Sequence, residues 1–121
     1  MKQRVALIGL VVSMLLAMQA QAHARLRSSN PAAGAQVSVA PARLELHFNE
    51  KVRLASLSLN SEGRVIDVAV DRSAPSSADV SLALPALTAG SYQVHWRALS
   101  GGDGHITQGT FSFTITGASK P

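Results

Sequence analysis

A chain of 121 residues with eleven Lys and Arg against seven Asp and Glu carries a formal net charge of +4. That length suits one small domain with a single core, and the absence of cysteine excludes disulfides and thiolate metal sites. The three methionines, Met1, Met14 and Met18, all fall within the first eighteen residues, so the chain beyond them holds no sulfur.

The first element is a leader. Lys2 and Arg4 form a short positive stretch, residues 5–18 are almost wholly apolar, and Ala20-Gln21-Ala22 has the small-x-small form of a cleavage site. The apolar run is shorter than the roughly 20 residues that cross a bilayer. Residues 1–22 therefore read as a cleaved secretory signal, and residues 23–121 as the mature domain, exported to the periplasm. The mature segment holds nine Lys and Arg and seven Asp and Glu, a net charge of +2. Its basic residues do not cluster, which argues against a nucleic-acid partner.

The rest reads as strands. Leu44, Leu46 and Phe48 alternate with Glu45, His47 and Asn49. Tyr92, Val94 and Trp96 alternate with Gln93, His95 and Arg97, and Phe111, Phe113 and Ile115 with Ser112 and Thr114. A period of two marks half-buried strands. Weaker strand patterns cover 24–28, 54–60, 65–70 and 79–84. Turn residues separate them at Asn30-Pro31, Ser61-Glu62-Gly63, Ala74-Pro75-Ser76-Ser77 and Ala89-Gly90. The expected fold is all-β, a seven-stranded antiparallel Greek-key sandwich or barrel of the immunoglobulin kind. Trp96, Tyr92 and the three phenylalanines take inward phases, which leaves no exposed aromatic platform.

Two features carry chemistry. Cleavage after Ala22 puts His23 at a free N-terminus, where the α-amine and the ring Nδ1 can grip one ion. The amine is a feasible ligand because its pKa is only about 8. Near the other end, Asp103-Gly104-His105 closes a glycine-rich loop. In extended backbone, residues two apart share a face, so the carboxylate and the imidazole would converge. Three nitrogens and one oxygen in a tetragonal set suit Cu(II), whereas a mature chain without sulfur lacks the soft ligands of Cu(I). The expected site is one Cu(II) per chain on His23, Asp103 and His105, with binding that fades below about pH 6.5 as imidazoles protonate. His47 and His95 lie on polar phases and read as solvated strand histidines. They would form a second site only if their strands faced each other.

Several stretches resemble the periplasmic copper-resistance protein C (CopC) family. They are His23-Ala24-Arg25-Leu26 with Ser29-Asn30-Pro31-Ala32, and residues 41–50 ending in Phe48-Asn49-Glu50. Leu87-Thr88-Ala89-Gly90-Ser91-Tyr92 through Trp96-Arg97-Ala98-Leu99-Ser100 is also similar, as is Asp103-Gly104-His105 with Gly109 and Phe111-Ser112-Phe113. The resemblance spans essentially the whole mature segment. It implies an immunoglobulin-like or cupredoxin-like β-barrel sandwich that binds Cu(II) through the amine and ring of His23, His105 and Asp103. It implies an outer-sphere role for Glu50, orienting the terminal amine or a water. It also implies copper carriage or buffering beside an inner-membrane copper importer. The chain departs from the family twice. No methionine-rich Cu(I) loop lies between Leu54 and Leu84, which leaves the family histidine matched by His47 without that role. The loop before Asp103 is one residue longer, at Gly101-Gly102.

Two other classes compete with the carrier reading. A copper monooxygenase also uses an N-terminal histidine, but it adds an axial aromatic and a flat aromatic face, whereas here a carboxylate takes part. A metal-free β-sandwich interaction module would bind copper equally well without His23. No catalytic constellation is legible, so the expected protein is not an enzyme.

Overall fold

The computed structural model describes residues 24–100 and 104–117. The described chain is all-β, with seven strands in chain order. These are β1 (Leu26–Asn30), β2 (Gln36–Val37), β3 (Arg43–Ser61), β4 (Arg64–Val68), β5 (Ser77–Ala83), β6 (Gly90–Ser100) and β7 (Ile106–Ile115).

The long strand β3 organises the fold. Nothing between Arg43 and Ser61 interrupts it, because the stretch contains neither proline nor glycine. Two stretches expected as separate strands, 44–49 and 54–60, are thus one element. Its first half pairs with β1 on one side and β5 on the other. Its second half pairs with β4 and β6. β6 continues to β7, and β7 to β2. One sheet, curled into a half-barrel, therefore supplies both walls of the core, and β3 belongs to both.

A bulge makes this geometry compatible with the sequence pattern. Leu44, Leu46, Phe48, Val52 and Leu54 are buried at even positions, and then Leu57 and Leu59 are buried at odd ones. The change of parity coincides with the register slip between Leu54 and Ser56 against β6, where Ala55 is the extra residue. One inserted residue reverses which face the next side chains take. All seven apolar side chains therefore reach one core.

The expectation of a wholly antiparallel sheet is corrected at one edge. β2, unanticipated because it is only two residues long, pairs parallel with β7. Its backbone donates from Gly34 to the Ser112 carbonyl at 2.7 Å, and accepts at Ala35 and Val37 from Thr114 and Thr116. Every other strand pairing is antiparallel.

The Glu62-Gly63 turn was legible in advance. It joins β3 to β4 through the Ser61–Arg64 pair, with φ of 53° and 80°. Positive φ at both central residues matches the right-handed twist of the flanking strands.

Aromatic residues fill the core as their phases predict. Phe48 meets Trp96 edge-on at 5.1 Å, and Tyr92 stacks on Phe113 at 5.6 Å. The Tyr92 hydroxyl donates to the Thr88 carbonyl at 2.7 Å, so the one polar atom of that buried ring is satisfied. Phe111 is only partly buried, at the margin of the cluster.

Candidate metal centre

Of the four residues singled out from sequence, His105 and Glu50 are described, and both are exposed. His23 and Asp103 lie outside the described residues. The structure does show what the neighbouring backbone does at each end of the expected site.

At the N-terminal end, Ala24 is buried in the core, and Arg25 is held on both its polar backbone groups by Asn49. The Arg25 N–H donates to Asn49 Oδ1 at 2.7 Å, and the Asn49 N–H donates to the Arg25 carbonyl at 3.0 Å. Leu26 then pairs with Phe48. Because β1 is antiparallel to β3, the chain traced back from Leu26 runs toward Glu50 and Val52. Asn49 thus anchors the segment that follows His23, a role that sequence reading missed. Its only trace in the sequence is an asparagine in a strand, a residue type strands disfavour.

At the other end, Ser100 pairs with Val52 of the same strand. The hairpin from β6 to β7 is closed by the Leu99–Ile106 pair. Beyond that pair the Ser100 N–H donates to the His105 carbonyl at 2.9 Å, and the Gly104 N–H to the Ser100 carbonyl at 3.1 Å. Gly104 has φ of 72°, a conformation that costs other residues about 1–2 kcal/mol. This glycine lets the chain turn into β7 directly before His105.

Asn49 and Val52, the two anchor points, are three residues apart on β3, about 10 Å at the rise of a strand. Between them β3 swings away from β5. Its register advances five residues, from His47 to Val52, while β5 advances only two, from Asp79 to Ser77. The bulged residues Asn49, Glu50 and Lys51 are all exposed. Among the described residues Glu50 has no hydrogen bond or ion pair. Its carboxylate is therefore uncommitted on the stretch where the two ends approach.

The other histidines are far from one another in the pairing. His47 lies opposite Asp79 of β5 on the first half of β3, whereas His95 lies between Ser58 on the second half and Thr110 of β7. The strands do not bring them together, and among the described residues no group of three potential ligands fits a metal ion. His47 instead makes a cross-strand contact, Nδ1 to Asp79 Oδ1 at 2.8 Å, with Glu45 Oε1 4.0 Å from Nε2. The contact is half-exposed, and exposed ion pairs contribute only about 0–1 kcal/mol. His47→Ala should therefore lower thermal stability by no more than about 1 kcal/mol and leave Cu(II) affinity unchanged. A tenfold loss of affinity would show that His47 serves the metal.

Comparison with known proteins agrees with this architecture. The family model described as CopC domain matches residues 26–116. Copper resistance protein C of Pseudomonas syringae pv. tomato is 35% identical over 112 residues, covering 84% of this chain and 87% of that protein. Copper resistance protein C of Xanthomonas campestris pv. juglandis is 36% identical over 120 residues, covering 89% and 91%. The crystal structure of CopC from Methylosinus trichosporium OB3b superposes with a TM-score of 0.66 at 28% identity, covering 82% of this chain and 99% of that one. With the family model matched from the first strand to the last and the relatives aligned along most of their length, the chain belongs to the CopC family.

Proposed function

We propose that the mature protein begins at His23 and is a periplasmic Cu(II) carrier or buffer, with one ion per chain held by His23, His105 and Asp103. It serves copper resistance and homeostasis, and it is a binding protein rather than an enzyme. The observation that carries this reading is the approach of two described segments to one stretch of β3. Arg25 is clamped at Asn49, and the His105 hairpin is paired at Val52. Copper resistance is named for the relatives in Pseudomonas syringae and Xanthomonas campestris.

The donor set explains what the site would do. Two nitrogens from one residue form a chelate, so the second bond costs little further entropy. The imidazole of His105 supplies a third nitrogen and Asp103 an anionic oxygen, a combination that favours Cu(II) over Cu(I). Glu50, exposed on the same stretch of β3, would accept a hydrogen bond from the terminal amine or from a bound water and so orient that group. With no methionine beyond Met18, the carrier works without a second, Cu(I) site. An inner-membrane copper importer is the partner this reading expects.

Loss of ligands tests the site. His105→Ala removes a nitrogen donor and should weaken Cu(II) strongly. Asp103→Ala should weaken it less and raise the reduction potential, because an anion that stabilises the oxidised ion is gone. Calorimetric titration with voltammetry on the loaded protein reads both. Equal affinities in wild type and both variants would exclude the site.

A further inference from the structure

We infer that a groove lined by Arg53, Arg72 and Arg97, beside the His105 hairpin, is the docking surface for an acidic, carboxylate-bearing segment of a protein that exchanges copper with this chain. The inference rests on the copper reading for what is exchanged, and on independent residues for the docking.

The groove is a product of the β3 bulge. Ala55 is the residue left over between the Leu54–Ala98 and Ser56–Arg97 pairs, and Arg72 Nε donates to its carbonyl at 3.1 Å. Arg72 arrives from the loop after β4, and the preceding turn holds it in place. Asp71 accepts from the Ser73 hydroxyl at 2.6 Å and from the Ser73 N–H at 3.0 Å. The same bonds lower the Asp71 pKa, with the hydroxyl bond the largest cause, so the carboxylate stays ionised and committed to its own turn. Arg53 and Arg97 stand on the outward phase of β3 and β6, with the Leu54–Ala98 pair between their own pairs.

The three arginines line a volume of about 390 Å³ together with Leu54, Ala55, Ser56 and Leu99. No carboxylate lines it, and among the described residues none of the three arginines is ion-paired. Guanidinium groups are planar forks that grip carboxylates bidentately. With only Asp71 and Asp79 in the adjoining cavity beside Arg53, three guanidiniums leave this open face with an excess of positive charge that attracts an anionic partner. The apolar part of the lining, Ala55 and Leu99, favours a peptide with side chains over a bare inorganic anion. So does Ile106, 56% exposed and paired across the hairpin with Leu99.

Position links the groove to copper. Arg53 and Leu99 also line a smaller cavity of about 160 Å³ together with Ser100 and Gly104, the residues that close the hairpin before His105. A segment lying in the groove would therefore end against Ser100 and Gly104, and on the copper reading its acidic side chains would be near the ion during transfer.

The test titrates the purified chain, copper-free and copper-loaded, with an oligoglutamate peptide and separately with inorganic phosphate at low ionic strength, read by amide chemical shifts. Peptide-induced shifts should centre on Arg53, Ser56, Arg97 and Leu99. Arg53→Glu with Arg97→Glu should weaken the peptide at least about tenfold without changing the melting temperature. Arg64→Glu, a single charge reversal at the far turn, should leave it unaltered. Shifts elsewhere, equal weakening by Arg64→Glu, or phosphate matching the peptide in affinity and footprint would each overturn the docking surface. Cu(II) titration of the same samples keeps the two readings apart. Peptide binding without copper binding would sink the carrier reading, and unchanged copper affinity with no peptide binding would sink the groove.

Discussion

A chain that starts at His23 should bind Cu(II) tightly, and the same chain with one extra alanine ahead of His23 should bind it at least about a hundredfold more weakly. The extension leaves every side chain in place and removes only the α-amine from reach. Loss of outer-sphere partners alone costs metal sites about 10–100-fold, so loss of a direct ligand and of its chelate ring should cost more. The spectrum should change as well. Electron paramagnetic resonance of the authentic form should show a tetragonal, nitrogen-rich Cu(II), and that of the extended form a loss of nitrogen coupling. Acidification should weaken the authentic form, because protons compete for the amine and both rings. The fold has no reason to react. The first described residues are Ala24, buried in the core, and Arg25, clamped by Asn49, both beyond the added alanine. If the two forms bind alike, the N-terminal amine is not a ligand, and the metal-free module becomes the better reading.

Gly109→Ala should be the most damaging small substitution in the sheet. Gly109 pairs with Trp96 across β6 and β7, on the inward face, with the indole lying over it. A Cβ at this position would sit 2.7 Å from Trp96 Cζ2 and 2.9 Å from Cε2. Neither is the loose end of a flexible chain, since the ring is also held edge-on by Phe48. Overpacking of this kind costs about 1–3 kcal/mol. In a domain of about 100 residues each kcal/mol lowers the melting temperature by about 4–8 °C. Thermal unfolding followed by tryptophan fluorescence reads the stability and the ring's surroundings together. The coupling is checked by combining Gly109→Ala with Trp96→Leu, which should cost less than the two single changes summed. An unchanged melting temperature in Gly109→Ala would mean that the indole does not lie against this glycine.

Much of the fold was legible because burial imposes a period of two. Leu44, Leu46 and Phe48, and later Tyr92, Val94 and Trp96, announce their strands and their inward faces without reference to any partner. The Glu62-Gly63 turn declares itself through Gly63, the residue type that takes positive φ freely. What escaped was whatever depends on a neighbour. That β3 is one strand rather than two could not be read from a stretch in which Asn49, Glu50 and Lys51 interrupt the alternation. Those residues are exposed because β3 there leaves one set of partners for another. The two residues of β2 have no pattern of their own and become a strand only because β7 offers an edge.

The candidate site divides along the same line. Chemistry belongs to the sequence: the leader that would expose His23, the spacing of Asp103 and His105, and the absence of sulfur beyond Met18 follow from residue identity alone. Position belongs to the tertiary structure. The anchoring of Arg25 by Asn49, and of Ser100 opposite Val52, joins residues 24 and 48 positions apart in the chain. Likewise, the distance between His47 and His95 in the pairing was fixed by the bulge at Ala55 and the bend in β3. Residue types decide which ligands a chain can offer. Only the register of its strands decides which of them meet, because backbone hydrogen bonds and a shared core, not the ligands, set that register.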